Sequence, residues 1–207
     1  MTKEKTSAEF INSIQTVLSN FQIDKQDLLS IFKHLKYIEV KKGDTFCHAG
    51  RTCNKLGILL EGLLMAKFDT DKGKLNISRF FYSPNNMIVT SFESFKTKKP
   101  TDESIVALED SKLLYLAIED LEELYLSVPS VNKIARHFAE QSYINALQRI
   151  HDLQVLNIKE RIEKFYSTNK DLFNRINKIH IASYLRVNRN DLTNTVTQLN
   201  KPKRTKK

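Results

Sequence analysis

Ile179-His180-Ile181-Ala182-Ser183-Tyr184-Leu185-Arg186-Val187-Asn188-Arg189-Asn190-Asp191-Leu192-Thr193-Asn194-Thr195-Val196-Thr197-Gln198-Leu199 holds two apolar patterns of helical period with a polar break between them. Ile181, Ala182 and Leu185 make one face of a first short helix. Asn188 is placed to cap a second helix, and Asp191 falls at its third position, near the positive end of the helix dipole. Leu192, Val196 and Leu199 follow at i, i+4 and i+7, so all three are expected to face inward. The opposite face then carries Arg189, Asn190, Thr193, Asn194 and Thr197. Arg can bond guanine at two points, Asn can do the same with adenine, and Thr can meet a thymine methyl. Arg189, Asn190, Thr193 and Asn194 are therefore the candidate base-reading residues. Two short helices with a polar outer face also occur in plain helical domains, so spacing leaves that alternative open.

Charge points the same way. Residues 1–156 hold 20 Lys and Arg against 20 Asp and Glu, whereas residues 157–207 hold 13 against 4. The whole excess of +9 therefore lies in the last quarter of the chain, which implies a polyanionic partner there. The terminal Lys201-Pro202-Lys203-Arg204-Thr205-Lys206-Lys207 supplies +5, leaving +4 on the segment before it. Lys170, Arg175, Lys178, Arg186 and Lys201 are the candidate phosphate contacts, which position a protein on DNA without reading sequence.

Upstream of the basic segment the pattern lengthens. From Ser130 the chain runs more than 25 residues without Gly or Pro, with apolar positions from Val131 to Leu156. A helix of that length cannot bury its stripe wholly against one small domain, and pairing with a second copy across a two-fold axis solves the problem. Packing on its own β domain alone is the alternative. Before it, residues 119–126 read as a short helix ending near Pro129.

Residues 37–116 read as eight short strands: Tyr37–Val40, Thr45–His48, Leu56–Leu60, Leu63–Phe68, Leu75–Phe81, Met87–Val89, Ser104–Leu108 and Lys112–Leu116. Turn signals such as Lys42-Gly43-Asp44, Glu61-Gly62 and Asp71-Lys72-Gly73 separate them, which argues for an antiparallel roll, barrel or sandwich. Thr6 and Glu9 suggest a capping box for a helix over residues 6–19, and Asp24 caps a second with Leu28, Leu29, Ile31, Phe32 and Leu35. The division expected is thus 1–128 for the helices and β domain, 129–156 for the long helix and 157–207 for the basic domain.

The order of parts from Leu28 to Leu199 resembles the Crp/Fnr family of bacterial transcription regulators. Lys42-Gly43-Asp44, Ala49-Gly50 and Leu60-Glu61-Gly62 carry the resemblance in the β domain. Phe80-Phe81-Tyr82 through Ala107-Leu108-Glu109-Asp110, and Ile181-Ala182-Ser183-Tyr184-Leu185, are similar to Crp-like regulators of the Bacteroidetes. The resemblance implies an α+β fold: an antiparallel, cyclic-nucleotide-binding-like β-roll with flanking helices, a long dimerisation helix and a C-terminal (winged) helix-turn-helix. It places Arg189 where the family carries a base-contacting Arg. The usual following Glu is Asn190, a later Arg is Asn194, and Arg186 replaces the small residue of the turn.

Cyclic-nucleotide-binding members of the family use a Gly-Glu pair and an Arg followed by Ser or Thr. Here that stretch reads Val89-Thr90-Ser91-Phe92-Glu93-Ser94-Phe95, then Thr101-Asp102, with no Arg between residues 80 and 135. Loss of the Arg and gain of Asp102 argue against control by cyclic AMP. Lys96, Lys98 and Lys99 offer another anion site or a solvated loop, and Phe81, Thr90, Phe92 and Phe95 are the candidate effector pocket.

Other chemistries find little purchase. Cys47 and Cys53 are too few for a disulfide scaffold or a four-ligand zinc site. His34, His48, His137, His151 and His180 have no metal spacing, and there is no P-loop and no GxSxG, so catalysis is not expected. No cofactor is expected. No apolar run reaches the length of a membrane span, and a cytoplasmic location is expected. The partners expected are double-stranded DNA, a second copy of the chain through residues 129–156 and RNA polymerase. The competing reading is a sensor or protein-interaction module that binds DNA only non-specifically.

Overall fold

The computed structural model of the chain describes residues 21–68 and 75–201. The helix expected over 6–19, the turn at 71–73 and the basic tail beyond Lys201 lie outside the described residues. Helix α1 (Lys25–His34) begins where Asp24 accepts a hydrogen bond from the Asp27 amide at 2.8 Å. Eight strands follow: β1 (Lys36–Val40), β2 (Thr45–Cys47), β3 (Lys55–Glu61), β4 (Leu64–Phe68), β5 (Asn76–Phe81), β6 (Ile88–Val89), β7 (Glu103–Ala107) and β8 (Ser111–Ala117). These are the eight expected strands, each within a residue or two of its sequence bounds. They form two four-stranded sheets, β1-β8-β3-β6 and β2-β7-β4-β5.

Alternation along β8 divides the interior. Leu113 is fully buried in the core of the roll, beside Val40, Phe46, Leu59, Phe81 and Val89. Its neighbour Leu114 is also fully buried but joins the other face, with Phe32 and Leu35. Successive side chains of a strand point to opposite faces, so an apolar pair at 113–114 makes β8 a strand covered on both sides. It holds that place by pairing antiparallel with both β1 and β3. A second apolar cluster joins Ile31, Phe95, Leu116, Leu121, Leu124, Val128 and Val131. Those residues come from α1, from α2 (Phe92–Thr97), from β8, and from α3 (Ile118–Ser127) and α4 (Pro129–Val155) with the residue between them.

The remaining helices are α5 (Ile158–Thr168), α6 (Lys170–Arg175), α7 (Lys178–Leu185) and α8 (Arg189–Leu199). Helix α4 has 27 residues, about 40 Å at helical rise, and Val131 is its one buried residue. Among the described residues no helix is long and apolar enough to cross a membrane. A wing after α8 would fall on residues beyond 201, outside those described.

Contacts divide the chain into two compact units. The first is Met1–Ala66 with Phe80–Gln141, and the second is Lys67–Arg79 with Ser142–Lys207. The division therefore falls within α4 rather than at the ends expected from the sequence, 128 and 156, and the residues at the β4–β5 end go with the helical unit.

Gly62 shows what the turn after β3 demands. Its φ is +108°, and a Cβ there would stand 2.2 Å from the Ser111 hydroxyl oxygen and 2.7 Å from the Ser111 Cα. Gly43 has φ +91° but faces open space. Gly43→Ala should cost about 1–2 kcal/mol for the left-handed backbone alone. Gly62→Ala should cost clearly more, because backbone must move as well; urea denaturation of the two variants measures the difference.

Candidate nucleic-acid interface

The second unit is organised around helix ends. Asn157 and Glu160 form a reciprocal capping box at the start of α5. The core beneath it combines Ile162 and Phe165 with Leu172, Phe173, Ile176, Ile181, Leu185, Leu192 and Val196. Asn177 caps α7 by accepting the Ile179 amide at 3.1 Å, and Asn188 caps α8 by accepting the Asn190 amide at 3.0 Å. Between the two helices the chain turns at Arg186, whose φ of 55° and ψ of 46° are left-handed. The amides of Arg186 and Val187 return to the carbonyls of Ser183 and Ala182. Glycine usually fills this position because a Cβ strains it. Here Arg stands in it, and its guanidinium donates to Asn76 Oδ1 at 2.7 Å.

The carbonyls leaving α7 have donors of their own. Arg149 Nη2 donates to the Tyr184 carbonyl at 2.8 Å, and its guanidinium carbon lies 3.9 Å from the centre of the Tyr184 ring. The same group donates to the Ile77 carbonyl at 3.3 Å. Burial lowers the Arg149 pKa from its ordinary value. Arg161 donates from Nε to the Leu185 carbonyl at 3.1 Å and from Nη1 to the Leu156 carbonyl at 2.7 Å. The Ser183 hydroxyl donates to the Leu75 carbonyl at 2.7 Å and accepts the Ile77 amide at 3.1 Å. Sequence reading assigned Ser183, Arg149 and Arg161 no part. Their one legible signal is an Arg set among the apolar positions of a helix.

Helix α8 separates its faces as its spacing requires, with one exception. Leu192 and Val196 are buried, but Leu199 is 42% exposed, because the helix ends there and Asn200 already leaves the core. On the outer face Arg189, Asn190 and Asn194 are exposed and Thr193 is half-buried. The Thr193 hydroxyl donates to the Arg189 carbonyl at 3.0 Å and that of Thr197 to the Thr193 carbonyl at 2.8 Å. Lys170, Arg175, Lys178, Arg186 and Lys201 are all exposed. Arg189, Lys170 and Lys178 form no ion pair among the described residues.

In the roll, the four residues grouped as an effector pocket are not brought together. Phe81 is fully buried in the roll core, and Thr90 donates its hydroxyl to the Lys55 carbonyl at 3.1 Å. Phe92 and Phe95 instead line an apolar cavity between helices and strands. The segment after β6 satisfies its own polar groups. Ser91 and Thr101 hydroxyls meet at 2.8 Å, the Glu103 amide donates to Thr101 Oγ1 at 3.1 Å, and the Cys53 amide donates to Ser94 Oγ at 2.9 Å. The buried acid of this stretch is Glu103, whereas Asp102 is exposed. Cys47 and Cys53 are free and buried, and the Cys53 thiol meets the Lys55 carbonyl and Thr90 Oγ1 at 3.6 Å. Their proximity lowers the Cys53 pKa and, with burial, raises that of Cys47. No group of three or more His, Cys, Asp or Glu suited to a metal ion occurs among the described residues.

Comparison with known proteins agrees with this geometry. Residues 37–127 match the family model of the cyclic nucleotide-binding domain. No curated protein matches the chain by sequence. Among solved structures, FixK2 from Bradyrhizobium japonicum superimposes with a TM-score of 0.67 at 13% identity, covering 80% of this chain and 84% of that one. The c-di-GMP responsive global regulator CLP of Xanthomonas campestris gives 0.66 at 14% identity, covering 85% and 91%. A transcriptional regulator of the Crp/Fnr family from Eubacterium rectale gives 0.67 at 16%, covering 88% and 85%.

His180, in α7, offers a test of the helical unit. Its Nδ1 is buried without a hydrogen-bond partner among the described residues, and burial lowers its pKa below the ordinary 6.5. A histidine depressed on folding is protonated first in the unfolded chain. Stability is therefore complete above the unfolded pKa and falls as pH drops through that value toward the folded one. Denaturation midpoints of wild type and His180→Gln between pH 7.5 and 5 should diverge, with the variant losing less stability on acidification.

Proposed function

We propose that this chain, whose roll matches the cyclic nucleotide-binding domain family and whose fold is that of the Crp/Fnr regulators, is a homodimeric, sequence-specific DNA-binding transcription regulator. The observation that carries the reading is α8. Its apolar face is locked by Leu192 and Val196, and its outer face presents Arg189, Asn190, Thr193 and Asn194. These are the groups that read guanine, adenine and thymine edges in a major groove. Arg189 carries no competing ion pair among the described residues, so its guanidinium stands ready for a base. The bonds from Thr193 and Thr197 to backbone carbonyls fix both side chains, which favours contact through their methyl groups. Lys170, Arg175, Lys178, Arg186 and Lys201 act on phosphates.

Helix α4 supplies the reason to pair. Tyr143, Ile144, Leu147, Ile150 and Val155 are all exposed, at 46–65% of their accessible surface. They recur at helical spacing along one side, and a second copy of the same seam buries them. A dimer in turn places two reading helices on an inverted repeat.

Cyclic AMP is not the effector in this reading. The segment after β6 offers no Arg for a cyclic phosphate, and its hydroxyls are engaged with one another. A purified protein without added nucleotide therefore enriches an inverted repeat from a random duplex pool. Arg189→Ala should cost about 1–3 kcal/mol on that repeat and relax one base preference. Equal losses on the repeat and on random duplex, measured by fluorescence anisotropy at one salt concentration, would reduce the protein to a non-specific binder. Leu147→Asp with Ile150→Asp should convert the dimer to monomer in sedimentation velocity.

A further inference from the structure

Behind α2, on the helical side of the first unit, lies a cavity of about 110 Å³. Its walls come from α1, β3, β6, β8, α3 and the start of α4, with Phe95, Ala135 and Phe138 among them. All seventeen lining residues are apolar except Lys96 and Tyr125. Such a space stays dry when empty, and an apolar cavity of roughly 150 Å³ admits benzene. Space of this size and lining fits a short hydrocarbon group.

The polar rim narrows the choice. Phe92 and Lys96 stand one turn apart on α2, both line the cavity and both are exposed, so they mark its mouth. Lys98 is committed to Glu122 at 3.3 Å, whereas Lys96 forms no ion pair among the described residues. A free ammonium at the opening of an otherwise apolar cavity complements one chemistry, a carboxylate carried on a short apolar tail. Tyr125, whose phenol burial pushes up, is the second polar group on the wall.

We infer that this cavity is a binding site for a small amphipathic carboxylate, with the tail among Phe95, Ala135 and Phe138 and the carboxylate on Lys96. It is separate from the polar segment of the roll at Ser91 and Thr101, neither of which lines it. The occupant touches α2, α3 and α4 together, so it ties the roll's short helix to the base of the long one. Nothing in it rests on DNA recognition.

The test is calorimetric titration of the full-length protein with hexanoate, 1-hexanol and hexylammonium, three probes with one tail and different heads. Hexanoate should bind one to one and saturably, hexanol at least about tenfold more weakly, and hexylammonium not at all. Lys96→Met should bring hexanoate down to the level of hexanol. Ala135→Phe should fill the cavity and remove both; Ala139→Leu serves the same end if that variant does not fold, as judged by circular dichroism. Absence of hexanoate binding to folded wild type, equal binding of all three probes, or hexanoate binding unchanged by Lys96→Met overturns the assignment.

Discussion

The carbonyl groups that end α7 cannot be left unpaired inside a small helical core, and two arginines meet that need. A helix leaves its last carbonyls without partners within itself. At Tyr184 and Leu185 the missing donors are the guanidiniums of Arg149 and Arg161, each reaching more than one carbonyl. Each such bond is charge-assisted and stronger than a neutral one. They hold the turn in which Arg186 adopts a left-handed backbone, and that turn sets the direction in which α8 leaves. Everything proposed for the outer face of α8 depends on this arrangement.

This changes the meaning of the charge excess. The segment from 157 to 207 carries 13 basic residues, but Arg161 is spent on backbone carbonyls and Lys164 on Asp152 at 2.7 Å. Arg149, outside the segment, serves the same structural purpose. Among the described residues the cations of this segment whose side chains have no polar partner are fewer: Lys170, Lys178, Arg189 and Lys201. A charge count marks the region proposed to meet a polyanion; which charges would face it follows only from what the others are bonded to.

Much of the fold was legible because its signals are local. Alternating runs bounded by Gly-bearing turns marked the eight strands, and Asp24 and Asn188 marked helix starts through the amides that each accepts. Leu199 misled because periodicity does not record where a helix ends. The grouping of Phe81 and Thr90 with Phe92 and Phe95 failed because sequence proximity hides which sheet face a residue takes: Phe81 points into the roll, while Phe92 and Phe95 lie beyond it. Arg149, Arg161 and Ser183 act across 24 to 108 positions of chain, and no local pattern encodes such partners. Lys96 and Lys98 look equivalent in sequence, and only the acid opposite Lys98 separates them.

The exposed seam of α4 has a consequence for dose. If the chain pairs through Tyr143, Ile144 and Leu147 as proposed, the number of paired molecules rises as the square of the chain concentration while pairing is weak. If only the pair spans both halves of a binding site, a modest change in synthesis becomes a steeper change in occupancy. Residues 143–155 fall in the same compact unit as α8, so the proposed pairing seam and the proposed reading helix belong to one folded unit.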